Sequence, residues 1–274
     1  MTPAETENKR FEFGGNWKDF LKRLNNARIQ EAEESLAQKT GFPALRGKTF
    51  LDVGCGSGLF SLAAVRLGAE RVHSFDSDPL SVACARELKR CYFPQADHWS
   101  IEEGDVLDPS YLAGLGQFDI VYAWGVLHHT GNMQQAVSNV SGLVSRGGRV
   151  WLAIYNDQGR ASRYWATVKR TYNRLPAAFR FLLLGPIFIR LWGPTLLRDL
   201  VRGRPLRTWR AYGHDRGMSL WEDVVDWVGG YPFEVAKPEV VFDLCKDQGF
   251  ILWKLRTCAG GHGNNEFVFI RCVE

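Results

Sequence analysis

The sequence predicts an α/β fold built on a doubly wound, mostly parallel sheet of seven strands. Short apolar, β-rich segments alternate with helical segments through the first half of the chain, and a helix and two further strands close it. Between these parts lie about eighty residues, too many for a loop in a compact domain, so a helical insertion follows the fifth strand. The predicted parts are an N-terminal tail and helical lid (1–45), a ligand-binding core (46–155), a basic and aromatic insertion that caps the acceptor (156–236) and the closing core elements (237–274).

Apolar periodicity and turn residues place the elements in chain order. Residues 1–10 are polar and expected to be disordered. A helix is predicted from about Lys18 to Gln38, where apolar residues recur at helical spacing, and Thr40-Gly41-Phe42-Pro43 ends it. The next strands are expected at 49–53, 71–75, 98–101, 118–123 and 148–154, and the helices at 58–67, 79–91 and 133–144. A helix ending at Gln248 and strands at 250–257 and 266–272 complete the sheet.

The amino-acid composition predicts a globular protein with free cysteines. The apolar fraction of 45% is ample for a core, and the charged fraction of 23% is ordinary. The six cysteines show no CxxC pair and no His/Cys cluster with zinc spacing, so we expect free thiols in a reducing cytosol and no metal site. The first ten residues contain no apolar signal region, and a cytoplasmic location is predicted.

A glycine-rich turn follows the first strand. Residues 49–53, TFLDV, are apolar enough for a strand buried on both faces, and the sequence then runs Gly54, Cys55, Gly56, Ser57 and Gly58 before a helix. Without a Cβ, such a backbone bends sharply and approaches a ligand closely. The spacing D-x-G-x-G-x-G differs from the GxGxxG dinucleotide fingerprint, and no Lys-Ser or Lys-Thr follows as in a phosphate-binding loop.

Acidic residues follow the next two strands. Asp76 ends the second strand, 24 positions after Asp52, where an acid accepts hydrogen bonds from ribose hydroxyls. Glu103-Gly104-Asp105-Val106 follows the third strand, and the fourth, Phe118 to Trp124, is followed by Gly125-Val126-Leu127-His128-His129.

In order and spacing, these four motifs resemble those of the class I S-adenosylmethionine (SAM) methyltransferases, in particular the small-molecule group that includes ubiquinone-pathway enzymes. The resemblance implies a Rossmann-like sheet, SAM as the methyl donor, S-adenosylhomocysteine (SAH) as the product, and no metal. It also implies that the glycine turn, the three acids, the end of the fourth strand and an aromatic residue of the N-terminal lid contact the cofactor. These residues are Asp52, Gly54, Cys55, Gly56, Gly58, Asp76, Ser77, Asp105, Val106, Trp124 and Trp17.

The acceptor site is predicted in the loops after strands four and five, because ligands of such sheets bind outside the carboxyl ends of the strands. His128 and His129 are candidate bases, since imidazole titrates near neutral pH; alternatively, one of them caps the next helix or packs on the sheet. Tyr155 ends the fifth strand at the same cleft. Glu234 lies in the aromatic segment 221–236, predicted as a shaped loop, and is either a base with a raised pKa or the partner of an arginine of the insertion.

The first part of the insertion is strongly basic. Residues 160–210 contain twelve lysines and arginines and one acid, a net charge of +11, so the rest of the chain carries −7. Residues 179–197, FRFLLLGPIFIRLWGPTLL, are interrupted by Pro186, Arg190 and Pro194, and fit an interfacial helical hairpin better than a membrane span. Three interpretations stay open: a cap or homodimer surface, peripheral contact with the inner face of a membrane, and binding of RNA or another polyanion.

Together these features predict transfer of the SAM methyl group to an oxygen or nitrogen of a small-molecule or lipid-linked acceptor. Nucleic acid is a disfavoured partner, because the sequence lacks the NPPY-type motif of amino-methylating enzymes and the Pro-Cys motif of cytosine methylases. Two alternatives remain: an RNA methyltransferase that uses the basic segment 160–210, and a SAM-binding partner protein without turnover.

Overall fold

The computed structural model describes residues 24–204, 206–209 and 220–273. They divide into two compact units, which are described separately. The core unit contains residues 24–162 and 233–273, and the insertion unit contains the described residues between 163 and 232.

The core unit is built on one seven-stranded sheet. Its strands are β1 (Thr49–Val53), β2 (Arg71–Asp76), β3 (Trp99–Glu103), β4 (Phe118–Trp124), β5 (Val144–Tyr155), β6 (Phe250–Arg256) and β7 (Asn264–Arg271). They lie in the order β3-β2-β1-β4-β5-β7-β6, with β1 to β5 paired in parallel and β7 antiparallel to both of its neighbours. The predicted doubly wound, mostly parallel sheet is confirmed.

Helices follow the strands of the core unit. They are α1 (Asn26–Thr40), α2 (Leu59–Arg66), α3 (Pro79–Tyr92), α4 (Pro109–Ala113), a 3₁₀ turn (Leu127–His129), α5 (Met133–Gly142) and α9 (Pro238–Lys246). The start of α3 forms as its sequence predicts: Asp78 accepts a hydrogen bond from the Leu80 amide, and Pro79 occupies the first turn. The short α4 and the 3₁₀ turn are additions to the predicted elements.

The first strand is buried on both faces because its apolar side chains alternate between two cores. Phe50 packs in one cluster with Leu36 of α1 and Leu62 of α2. Leu51 and Val53 belong to the cluster on the other face of the sheet. Full burial of each large side chain contributes about 1.5–3 kcal/mol, so β1 is anchored from both sides and fixes the turn that follows it.

The insertion unit is helical. Its elements are α6 (Arg160–Arg174), which starts at the end of the core unit, a 3₁₀ turn (Ala177–Phe179), α7 (Phe181–Val201) and α8 (Leu220–Gly229). The predicted hairpin is wrong, because Pro186 and Pro194 lie inside one continuous helix. The prediction of a loop over 221–236 is wrong for its first part, which is α8.

The structure changes one expectation about α7, namely whether it could span a membrane. Among the described residues, the helical stretch Ala177–Val201 is long and apolar enough to cross a membrane. Leu184 and Ile187 are nevertheless buried within the unit, so one face of α7 packs on protein.

A buried lysine ties two helices of the insertion unit together. Lys169 of α6 donates a hydrogen bond to the Trp227 carbonyl, and its ammonium lies 4.2 Å from the centre of the Trp227 ring. Asn173, one turn further along α6, donates to the Gly229 carbonyl at 2.7 Å. These two side chains satisfy carbonyl groups at the end of α8 that have no partner within their own helix.

Candidate cofactor and acceptor site

Three acidic residues lie at the carboxyl ends of neighbouring strands. Asp52 is the penultimate residue of β1, Asp76 is the last residue of β2, and Asp105 follows β3 by two positions. Because β3, β2 and β1 are adjacent and parallel, all three residues fall at the same edge of the sheet. This is the edge at which ligands of doubly wound sheets bind.

The glycine turn has a backbone that other residues rarely adopt. Gly54, Gly56 and Gly58 have φ values of 65°, 52° and 80°. The turn is held against the neighbouring strand by hydrogen bonds from the amides of Gly54 and Cys55 to the Phe75 carbonyl, at 2.8 and 3.0 Å. A Cβ on Gly54 would lie 2.4 Å from Cγ1 of Val126, so both the conformation and the space require glycine there.

Asp76 is fixed in place by the backbone around it. Its carboxylate accepts hydrogen bonds from the Gly56 amide at 3.0 Å and the Asp78 amide at 2.9 Å. Burial raises the pKa of Asp76 to about 6, although these hydrogen bonds act in the opposite direction. An ionised carboxylate offers roughly four acceptor positions, so the two backbone contacts leave others for a ligand. Ser77 lies next to it in the same turn.

Asp52 occupies a different environment from the one its motif suggests. Its side chain is buried and accepts a hydrogen bond of 2.5 Å from Ser61 of α2, which also bonds to Ser74 of β2 at 2.7 Å. Burial raises the pKa of Asp52 to about 7. The structure thus places Asp52 in a buried polar network that joins β1, β2 and α2, and Ser61 is a residue that sequence reasoning missed.

The turn after β3 brings its residues together through another glycine. A Cβ on Gly104 would lie 2.3 Å from the ring of Tyr111, and the Asp105 carboxylate accepts a hydrogen bond from the Leu107 amide at 2.9 Å. Asp105 is half-buried and Val106 is buried.

The remaining predicted cofactor residues differ in accessibility. Trp124, at the end of β4, has 41% of its surface exposed. Cys55 is buried, and burial together with the nearby carboxylates raises the pKa of its thiol. Trp17 lies outside the described residues.

Three of the predicted catalytic residues lie together in the core unit. The ring centres of His128 and Tyr155 are 4.0 Å apart, and those of His129 and Tyr155 are 5.5 Å apart. Phe233 packs on the same tyrosine at 5.5 Å. His128 is fully buried, whereas His129 is half-buried, so the second histidine is the more accessible of the two.

Glu234 joins this group through helix capping. Its amide donates to the His128 carbonyl at 2.9 Å, and its carboxylate accepts from the Met133 amide at 3.0 Å, at the start of α5. A carboxylate at this position is stabilised by the helix amides and dipole. Burial raises the pKa of Glu234 despite these hydrogen bonds. Neither sequence interpretation, base or arginine partner, included the capping contact.

Part of the core unit is similar to known methyltransferases. Residues 51–150 match the family model described as a methyltransferase domain. The chain is 33% identical over 118 residues to the tRNA U34 carboxymethyltransferase of Pseudomonas aeruginosa, an alignment that covers 43% of this chain and 35% of that protein. It is 27% identical over 203 residues to the ubiquinone biosynthesis O-methyltransferase of Aeromonas salmonicida, covering 71% of this chain and 73% of that protein.

Solved structures extend the similarity of fold to most of the chain. The magnesium protoporphyrin IX methyltransferase of Synechocystis PCC 6803, crystallised with bound SAH, superposes with a TM-score of 0.54 at 15% identity, covering 94% of this chain and 96% of that one. A likeness at this identity shows the fold alone. Among the curated relatives, the chain spans about a third or less of the length of those that match most strongly.

Proposed function

We propose that this chain, whose residues 51–150 match a methyltransferase domain, is a class I SAM-dependent methyltransferase that transfers the SAM methyl group to an oxygen or nitrogen of a small-molecule or lipid-linked acceptor. The observation that carries this proposal is the meeting of the glycine turn, Asp76 and Asp105 at one edge of the sheet. The histidine and tyrosine cluster follows β4 and β5, whose carboxyl ends reach that same edge.

The residues at this edge fit the chemical groups of SAM. Asp76 offers ionised acceptor positions to ribose hydroxyls, and the glycine turn from Gly54 to Gly58 lets backbone approach the aminoacyl end without a Cβ. Asp105 and Val106 are assigned to the adenine, and Trp124 to covering the ligand. Bound SAM supplies a methyl group already activated for transfer.

Asp52 has a supporting role in this assignment. Its carboxylate accepts a hydrogen bond from Ser61, which ties β1 to α2 across the glycine turn. We therefore assign Asp52 to stabilising the glycine turn and Asp76 to direct contact with the ribose of the cofactor.

The chain's own contribution to transfer is to orient the acceptor and remove its proton. An O–H or N–H acceptor usually requires a base within hydrogen-bond reach. His129 is the first candidate, because it is the accessible member of the pair and histidine is the side chain most often used as a general base. His128, fully buried against Tyr155, positions it. Glu234 is the second candidate, since its raised pKa suits a base, but its carboxylate already caps α5.

An exposed apolar stripe on α7 supports a lipid-linked acceptor. Leu182, Ile189, Leu197 and Leu200 are between 58% and 69% exposed, and their spacing puts them on one face of the helix. This apolar stripe lies on a segment whose net charge is +11. Such a helix binds at the interface of an anionic membrane, with apolar side chains among the acyl chains and arginines near the phosphates.

Peripheral contact explains α7 better than a membrane span does. A spanning helix is surrounded by lipid or other spanning helices, whereas Leu184 and Ile187 are buried inside the insertion unit. We therefore place the protein in the cytoplasm with α7 on the inner membrane face. A homodimer is the alternative occupant of the apolar stripe.

RNA methylation is the second candidate function. The basic segment 160–210 and the similarity to a tRNA-modifying enzyme of Pseudomonas aeruginosa favour it. Protein–RNA binding through this segment would weaken steeply as salt concentration rises.

Incubation with methyl-labelled SAM distinguishes the candidates. The purified protein is mixed with lipid extract, small-molecule extract or total RNA, and the label is followed into each fraction. We expect label in the lipid or small-molecule fraction. Label confined to RNA would replace our first candidate by the second, and SAM binding without label in any fraction would support the partner protein without turnover.

Vesicle flotation tests the membrane contact separately. The Leu182→Ser/Ile189→Ser/Leu197→Ser variant should no longer float with anionic vesicles. The matched control is Ile251→Ser, an equally exposed apolar residue of β6 in the core unit. Equal flotation of both variants would exclude the apolar stripe as the lipid-binding surface.

A further inference from the structure

The C-terminal end of α7 and the turn after it line an open cavity that the proposed methyl transfer does not use. The cavity has a volume of about 550 Å³. It lies entirely within the insertion unit. Its lining residues are Arg198, Asp199, Arg202, Arg204, Arg207 and Thr208.

Asp199 holds the turn that forms the cavity, and its carboxylate also lies 4.0 Å from Nε of Arg198. The side chain is buried and accepts hydrogen bonds from the Thr208 amide at 2.7 Å and the Thr208 hydroxyl at 2.8 Å. The Arg204 amide donates to the Asp199 carbonyl at 2.9 Å, and Gly203 turns the chain with a φ of 64°. Hydrogen bonds from Thr208 lower the pKa of Asp199, so this carboxylate stays ionised and keeps the turn closed.

The turn held by Asp199 collects an excess of positive charge. Among the described residues that line the cavity, four are arginines and one is an acid. Arg198, whose guanidinium donates to the Thr208 hydroxyl at 3.1 Å, is positioned by the same turn. Like charges at short range repel one another, so this arrangement favours a bound anion. Arg202, Arg204 and Arg207 are exposed and therefore accessible to one.

We propose that this arginine cavity binds a phosphate or diphosphate group. Guanidinium groups match the oxygens of a phosphate in pairs, with two parallel hydrogen bonds, which makes arginine the preferred side chain for such recognition. Leu197 and Leu200 of the apolar stripe are exposed at the same end of α7, but the helical spacing puts them on a different face of the helix from the lining residues Arg198 and Arg202.

The inference deepens the proposed function, since a lipid headgroup or a lipid-linked acceptor is one source of such a phosphate. Phosphate binding itself is measurable without methyl transfer. A soluble phosphorylated compound presents the same chemistry, so the experiment below separates the two sources.

Calorimetry with inorganic pyrophosphate tests the site in the full-length protein. The test variant is Arg202→Gln/Arg204→Gln. The control is Arg163→Gln/Arg174→Gln, which removes the same charge from exposed positions of α6. We expect the test variant to bind pyrophosphate at least about tenfold more weakly, because charge-assisted hydrogen bonds are lost, and the control to stay within about twofold of the wild type. Absence of pyrophosphate binding by the wild type, or an equal loss in both variants, would overturn the inference.

Flotation then identifies the source of the phosphate. Vesicles of phosphatidylcholine alone are compared with vesicles of phosphatidylcholine and phosphatidylglycerol. If only the test variant floats less with the anionic vesicles, the site binds a headgroup; if its flotation is unchanged while pyrophosphate binding falls, it binds a soluble phosphate compound. SAM affinity, measured on the same samples, should be unchanged in both variants, which separates a failure of this inference from a failure of the cofactor assignment.

Discussion

The substitution Asp76→Asn tests whether the carboxylate at the end of β2 holds the cofactor. In the wild type the two oxygens accept from the amides of Gly56 and Asp78 and keep further acceptor positions. Asparagine keeps one oxygen, loses the charge and replaces the second acceptor by a donor. A hydrogen bond to a charged group contributes about 1.5–3 kcal/mol, so losing one to the ribose should weaken SAH binding roughly 10- to 150-fold.

The pH dependence of SAH affinity tests the same assignment of Asp76 independently. Because burial raises the pKa of Asp76 to about 6, the carboxylate is ionised at pH 8 and mostly protonated at about pH 5. Protonation removes acceptor capacity, so SAH affinity should be constant above about pH 7 and fall nearly tenfold for each unit below about pH 6. In the Asp76→Asn variant the affinity should depend little on pH.

Calorimetric titration with SAH from about pH 5 to 8 measures both effects. The control variant is Asp108→Asn, whose carboxylate accepts only from amides in the first turn of α4 and which should bind SAH normally. If Asp76→Asn binds within about twofold of the wild type at pH 8, or keeps the wild-type slope below pH 6, the assignment of Asp76 to the cofactor is wrong.

Four further predictions follow from the same geometry. Gly54→Ala should lose about 1–3 kcal/mol more unfolding free energy in urea than the control Gly47→Ala. Both glycines have a positive φ, but a Cβ on Gly54 would lie 2.4 Å from Val126, whereas a Cβ on Gly47 would meet nothing within 4 Å. Equal losses in the two variants would contradict the predicted clash. Burial raises the pKa of Asp52 from 3.8 to about 7, so the folded state holds this proton more tightly than the unfolded state does. The free energy of unfolding should therefore fall by up to about 4 kcal/mol as pH rises through that range. Asp52→Asn should remove this fall, and an unchanged pH dependence in urea unfolding of the variant would refute the prediction. His129→Gln should lower methyl transfer by about 10²–10⁴-fold with SAH affinity intact, and normal turnover would move the base elsewhere. Glu234→Ala should lose about 1 kcal/mol of stability with the cap to Met133, whereas Glu234→Gln should keep it; a large loss of turnover in Glu234→Gln would make Glu234 the base.

The core could be predicted from sequence because its signals are local. In TFLDV, residues 49–53, alternate side chains face opposite apolar clusters, and glycines at 54, 56 and 58 have the positive φ values that a tight strand-to-helix turn requires. β1, β2 and β3 are adjacent and parallel, as a doubly wound sheet requires, so their carboxyl ends lie at the same edge. The three acids therefore meet at one edge, as expected.

The environment of each acid could not be predicted in this way, because it depends on contacts that are distant in sequence. Asp52 is nine residues from Ser61 and Glu234 is 101 residues from Met133, and no local pattern marks either hydrogen bond. The motif alone predicts that Asp52 contacts the cofactor directly, whereas its burial beside Ser61 supports a role in stabilising the glycine turn.

The insertion exposed a second limit of local reasoning. Two prolines within 181–201 suggested a break, since proline removes a helix donor and usually kinks the helix. The structure has one helix there, with Leu184 and Ile187 packed on the rest of the unit. The sequence pattern alone does not reveal this burial, which depends on residues elsewhere in the chain.

A crystal structure of the protein with SAH tests the central claim most directly. The account predicts electron density for SAH at the carboxyl ends of β1 to β4, with ribose hydroxyls on Asp76, the aminoacyl group along Gly54 to Gly58 and the adenine beside Asp105. Density for SAH at any other place on the chain, or crystals grown with saturating SAH that show none at this edge, would contradict it.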